Sequence, residues 1–238
     1  MTSKYNYMKQ KETLLNTPLD HDMGVEDFGD DHLVSSFNTP LREDAFEMNN
    51  ELKIELIAKH FKEIMLVLGL DLTDDSLKGT PMRVAKMYVK EVFSGLDPKN
   101  KPHARLFDNK FGYGEMLVEK DITFYSHCEH HFVPIYGKAH VAYISSGKVI
   151  GLSKINRIVQ YYAKRPQVQE RMTVQIANEL KTVLKTENVG VVIDANHMCV
   201  SSRGVGDTNS KTGTAHFSGK FSEENTKREF LNYINTPA

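Results

Sequence analysis

The stretch Met116–Leu152, MLVEKDITFYSHCEHHFVPIYGKAHVAYISSGKVIGL, decides the fold class. Met116–Tyr125, Phe132–Ile144 and Lys148–Leu152 alternate or carry β-branched and aromatic residues, the mark of half-buried strands. Ser145-Ser146-Gly147 is a hairpin turn signal between the last two. The polar run Ser126–His131 interrupts the pattern directly after the first strand.

Downstream the period lengthens. Ser153 is expected to cap a helix with Ile155, Ile158, Val159 and Tyr162 inward, and Pro166 to open a second with Val168, Met172, Ile176, Leu180 and Leu184 inward. Asn188-Val189-Gly190 leads to a strand over Val191–Cys199, and a last strand pattern runs near Thr212–Phe221. Upstream, Asn49 or Asn50 caps a helix in which Leu52, Leu56, Phe61, Ile64, Met65 and Leu68 recur at helical spacing, and Gly69 suits its end. Thr80-Pro81 starts another helix, with Thr80 as N-cap, Val84, Met87, Tyr88 and Val92 as its stripe and Gly95 as its stop. Residues 96–114 read as loop. Strands separated by a helix pair predict α+β with an antiparallel sheet.

The 238 residues are 40% apolar and 26% charged, which suits a folded core. Lys and Arg number 30 against 31 Asp and Glu, which excludes a general polybasic nucleic-acid binder. The balance is uneven. Residues 1–48 hold ten acids against four bases, or −6, leaving 21 against 26, or +5, for 49–238. The first segment has no sustained apolar period and reads as an acidic, flexible extension; residues 49–238 read as one domain. No apolar run approaches the ~18 residues that span a membrane. The N-terminus lacks the apolar core of a secretory signal, so a reducing cytoplasm is the expected compartment.

Both cysteines stand beside histidines. Cys128 and His131 have C-x-x-H spacing, which lets one turn aim both side chains at one ion, and Cys199 follows His197. The bland alternatives are buried apolar cysteines or a disulfide, the latter disfavoured in a reducing compartment. Three protein ligands with an open position form the catalytic zinc pattern, in which the metal brings the ionisation of a water near neutrality. His127, His130 and His197 are each near enough to supply a fourth ligand, and His130 and His197 are equally suited to proton transfer. His197 is expected on the same strand face as Cys199.

Lys154 and Arg157 fall in the first turns of a helix, where the dipole disfavours cations unless an anion joins them. Ser153, Lys154 and Arg157 therefore read either as a phosphate site or as a solvated basic face. Arg83, Arg165, Arg171 and Arg203 are further candidate cations, and Glu170 either binds a ligand or simply favours its helix N-terminus.

Taken together, Thr80–Ala85 (TPMRVA), Cys128–Pro134 (CEHHFVP), Gly151–Lys154 (GLSK), Gln167–Arg171 (QVQER), His197–Cys199 (HMC), Arg203-Gly204-Val205 and Asn209–Thr212 closely resemble the GTP cyclohydrolase I family, from about Asn50 to Ile234. The resemblance implies an enzyme that opens the imidazole ring of GTP, releases C8 as formate and recloses the product as 7,8-dihydroneopterin triphosphate, the first step of folate or tetrahydropterin biosynthesis. It implies one zinc per subunit on Cys128, His131 and Cys199, with proton transfer by His130 and His197. Glu170, with Gln169 nearby, would hold the guanine edge, and Ser153, Lys154, Arg157, Arg83 and Arg203 the triphosphate. The implied fold is the tunnelling fold, an antiparallel sheet backed by two antiparallel helices, assembled as a homodecamer of two pentamers with sites between subunits. No nucleic-acid or membrane partner is implied. His127 departs from the family pattern, which is usually apolar there; it is a spare ligand or a passenger. Two rivals remain: a tunnelling-fold nitrile reductase, which needs a cysteine nucleophile and no zinc, and a zinc-stabilised binding module, which needs a fourth protein ligand.

Overall fold

The computed structural model describes residues 36–236. The expected flexibility of the acidic extension falls mostly on residues outside that range. Helix α1 (Asn50–Val67) begins where Asn49 Oδ1 accepts from Leu52 N at 2.8 Å, satisfying one of the helix's free amides. Its inward residues are Ile54, Ala58 and Met65; the helically spaced Ile64 and Leu68 are exposed. Helix α2 (Thr80–Met87) starts one residue earlier than predicted, with Gly79 in place of Thr80 as N-cap, and continues into a π-turn over Tyr88–Val92. Gly95 then docks this segment onto the sheet domain. Its N–H donates to Lys164 O at 2.9 Å, and a Cβ there would meet Tyr161 O at 2.0 Å, so only glycine permits the approach.

The expected loop 96–114 contains a short strand β1 (Leu106–Asp108), which pairs with β4 (Lys148–Ile150). The main sheet has the order β5-β2-β3-β6-β7, built from β2 (Met116–Cys128), β3 (Pro134–Ile144), β5 (Pro166–Gln167), β6 (Val189–His197) and β7 (Thr212–Phe217). Its long pairings are antiparallel, and only the two-residue β5 runs parallel to β2. Two helices back one face, α3 (Leu152–Ala163) and α4 (Gln169–Leu184). The α4 stripe is buried as expected, with Met172, Ile176, Leu180 and Leu184 packed on Phe124, Val141, Val191 and Ile193 of the sheet. In α3, Tyr161 is buried and Tyr162 half-buried. Pro166 opens a strand bridge rather than a helix, and α4 starts after Val168.

The last strand ends at Phe217, because Gly219 at φ 56° turns the chain. Phe221 of the turn Gly219–Ser222 and Phe230 of a further helix, α6 (Glu224–Asn235), cover Met116, Ala142, Ile144 and Val192 on the opposite sheet face. This α+β arrangement, an antiparallel sheet with a helix pair on one face, is the architecture that the resemblance implies.

Candidate metal centre

Strand register brings the two thiols together. Ser126 of β2 pairs with Ile135 of β3, which pairs with His197 of β6. Cys128 and Cys199 each lie two residues further along, so both emerge at the same end of the sheet. Cys199 is not on the strand, contrary to expectation. The chain turns helical over α5 (Met198–Ser201), with Ser202 N bonded to Met198 O at 2.9 Å, so His197 and Cys199 share no strand face.

The segment after β2 closes on itself. Phe132 N donates to Cys128 O and Cys128 N donates to Val133 O, both at 2.8 Å. Closure takes Phe132 to φ 56°, a conformation that costs a non-glycine residue about 1–2 kcal/mol. Its ring packs edge-on against Phe93 at 5.2 Å, which holds the turn from the α2 side. Donor atoms of Cys128, His131 and Cys199 consequently lie within 4.8 Å of one another. Zinc bonds of about 2.0–2.3 Å place tetrahedral ligand atoms roughly 3.3–3.8 Å apart, so small side-chain shifts close the set on one ion. Burial, then the neighbouring Cys128, pushes the Cys199 thiol up to about 11. Two thiol sulfurs held this close suit a divalent cation, whose positive charge favours thiolate ligands.

Other side chains gather at this group. His130 Nδ1 is 3.7 Å from Cys128 Sγ, and Arg203 Nη1 donates to His131 Nε2 at 3.0 Å. Burial lowers the pKa of His197, opposed by the negative charge of Glu170. Glu170 is exposed in the first turn of α4, free to meet a ligand. Gln169 is 1% exposed, and its Oε1 is 2.7 Å from His197 Nε2. His127 joins none of this: it is buried edge-on to Phe93, and its Nδ1 has no hydrogen-bond partner.

The remaining basic residues lie elsewhere in the chain. Arg83 donates to Ser76 O and Thr80 Oγ1 within its own segment. Ser153 makes no capping bond, because the backbone already bends at Gly151 and α3 starts at Leu152; it is exposed in the first turn. Lys154 is half-buried beside it, and Arg157 lines a 250 Å³ pocket with Asn100, Gln160 and Lys164. Two candidate cations are committed internally. Arg165 stacks on Tyr161 and Tyr162 at 4.5 and 4.6 Å. Arg171 makes a bidentate pair with Glu129, one contact at 3.2 Å, and its Nε donates to Ser36 O at 2.9 Å. That pair went unnoticed in the sequence, where the one signal was an acid placed between Cys128 and His130.

Residues 57–235 match the family described as GTP cyclohydrolase I. The chain belongs to the GTP cyclohydrolase I family. A Flavobacterium johnsoniae protein named GTP cyclohydrolase 1 is 62% identical over 210 residues, covering 88% of this chain and 94% of that one. Proteins of the same name from Enterobacter sp. strain 638 and Escherichia coli O1:K1 are 56% and 57% identical over 203 residues, covering 85% of this chain and 91% of each relative. GTP cyclohydrolase I is a zinc enzyme, and the Cys128–His131–Cys199 donor set fits that ion. No described helix is long and apolar enough to cross a membrane.

Proposed function

We propose that the protein converts GTP and water to 7,8-dihydroneopterin triphosphate and formate, opening folate or tetrahydropterin biosynthesis in the cytoplasm, where thiolate ligands stay reduced. The observation that carries this reading is the Cys128–His131–Cys199 set at one end of the sheet of a GTP cyclohydrolase I family chain.

Cys128, His131 and Cys199 hold one zinc per subunit. When bound, zinc supplies a Lewis acid that lets a water ionise near neutral pH for attack at C8. His197, kept neutral by burial, accepts a proton, and His130 beside the donor set delivers one to a ring nitrogen. The exposed carboxylate of Glu170 accepts from N1–H and N2–H of guanine, a pairing that a purine lacking the 2-amino group makes only in part. Arg203 at the rim of the donor set, with Lys154, Arg157 and Arg83, neutralises the triphosphate, and the Ser153 hydroxyl donates to it.

Arg83 bonds within its own segment and Arg157 lines a separate pocket with Asn100, Gln160 and Lys164, which supports sites shared between copies. We assign the assembly as a homodecamer of two pentamers built by residues 49–238, with 1–48 an extension. Its support is the edge of β7, unpaired among the described residues, and the exposed apolar residues Ile64, Val67 and Leu68 of α1 and its end. Incubating zinc-loaded protein with GTP tests the reading: formate and a pterin that fluoresces after oxidation should form in equal amounts. Absence of both rejects it. Zinc-edge absorption showing four protein ligands would favour a structural site instead, with His130 the nearest candidate.

A further inference from the structure

The Gln169 amide lies in a closed ring of hydrogen bonds. Its Nε2 is 3.0 Å from Ile193 O and 2.8 Å from Thr212 O. Both are backbone carbonyls, which only accept, so this terminus of the side chain must be the NH2 group. Nε2 also lies 3.1 Å from Thr214 Oγ1. Thr173 Oγ1 donates to Gln169 O at 2.8 Å, and Thr214 Oγ1 is 2.7 Å from Thr173 Oγ1. Thr173 has spent its proton on Gln169 O, so Thr214 donates to Thr173; the two amide hydrogens of Gln169 serve three acceptors, the Thr214 hydroxyl sharing one of them with a carbonyl. The amide orientation is therefore locked by partners on β6, β7 and α4.

The consequence falls on the other end of the amide. Oε1 can only accept, and it lies 2.7 Å from His197 Nε2. His197 must carry its hydrogen on Nε2, which leaves Nδ1 as the acceptor of the neutral ring. Among the described residues Nδ1 makes no hydrogen bond. We propose that Gln169 is the positioning residue of His197: the ring of amide bonds fixes the orientation and tautomer of the imidazole and reserves Nδ1 for substrate. Gln169 is then not a guanine contact, since its amide hydrogens are committed within the chain. The proposal rests on the role given to His197 above.

The test compares kcat, KM and zinc content for His197→Ala, Gln169→Leu and their double variant, as full-length zinc-loaded protein. Gln169→Leu should lower kcat roughly 10- to 100-fold with KM for GTP within about threefold and zinc stoichiometric. In the His197→Ala background the same change should cost less than about twofold, because its route to the reaction is already gone. If the two losses multiply, Gln169 acts independently and the proposal fails. A rise in KM as the main effect also overturns it, in favour of a guanine contact. Near-normal turnover by His197→Ala would instead reject the function assigned to His197. Should Gln169→Leu not fold, Gln169→Met, close in length and lacking the amide, carries the same comparison, with the same outcomes deciding.

Discussion

Replacing Arg171 by methionine should destabilise the protein and loosen its metal together. The Arg171 side chain is 3% exposed and that of Glu129 19%, so the pair is largely dry. Two opposite charges at ~3 Å attract by roughly 5 kcal/mol at an effective dielectric of 20, most of which offsets the cost of leaving water. Removing one partner strands the other, and buried pairs broken this way lose about 3–5 kcal/mol. Water reaches Glu129, so about 3 kcal/mol is the expected loss, including the bond from Arg171 Nε to Ser36 O. Adding Glu129→Gln removes the stranded charge and should recover about half.

Glu129 sits between Cys128 and His130, and its N–H is held by Gln167 O at 3.1 Å, so a repelled carboxylate pulls directly on the metal turn. Zinc transfer to a chromophoric chelator should accelerate at least tenfold in Arg171→Met. Urea unfolding at one fixed subunit concentration, because stability and assembly are linked, should show a midpoint lower by about 1 M or more. If Arg171→Met stays within about 1 kcal/mol of the parent, or if Glu129→Gln adds to the damage, the pair is not the brace described.

Cys199→Ser should lose zinc and turnover together while the sheet persists by circular dichroism; full zinc occupancy with near-normal turnover would remove Cys199 from the ligand set. Arg157→Ala should weaken GTP at least tenfold more than guanosine by equilibrium binding, and equal effects on both would make the residue structural. His140 Nδ1 accepts from Asp121 N at 3.2 Å; burial lowers its pKa, outweighing Asp121 and Asp194, which raise it, while Lys120 and Lys138 lower it further. Above the unfolded value near 6.5 neither state is protonated and stability is full. Below it the unfolded chain takes up the proton first, so stability falls by up to ~1.4 kcal/mol per pH unit until the folded group titrates. His140→Asn, which offers Asp121 N a non-titrating acceptor, should unfold with a flatter dependence between pH 7.5 and 5.5, and an unchanged slope would refute that account.

The parts of the fold legible in the sequence are those with dense local patterns. The α4 stripe is inward because four apolar residues at helical spacing face one sheet, and Asn49 caps α1 as its side chain requires. Helix α6 escaped notice because only Phe230 of its 12 residues is buried, too little to set a period. Strand β1 escaped because three residues hold strand geometry only through their partner β4. The candidate metal ligands stand out in the sequence because the two cysteines each lie beside histidines and Cys128 and His131 share one turn, although Cys199 joins them only once the strands pair. The Gln169–His197 and Arg171–Glu129 links do not, since they span 28 and 42 residues and exist only once the strands are in register.

The same distinction applies to one face of α1. Hydrophobic spacing reports that a residue avoids water, not which surface covers it. Ile64, Val67 and Leu68 obey the helical period, yet Val67 is 88% exposed in one chain. An error in the period would scatter polar residues among the exposed ones. The face is instead a run of apolar side chains, Ile64 through Leu68 with Met65 turned inward, ending at the helix C-terminus. Such a run in water favours association, which assigns Ile64, Val67 and Leu68 to an interface in the proposed assembly. Mutating Val67 and Leu68 to glutamate should therefore shift light-scattering mass downward without unfolding the sheet, whereas unchanged mass would leave this face outside the ring contacts.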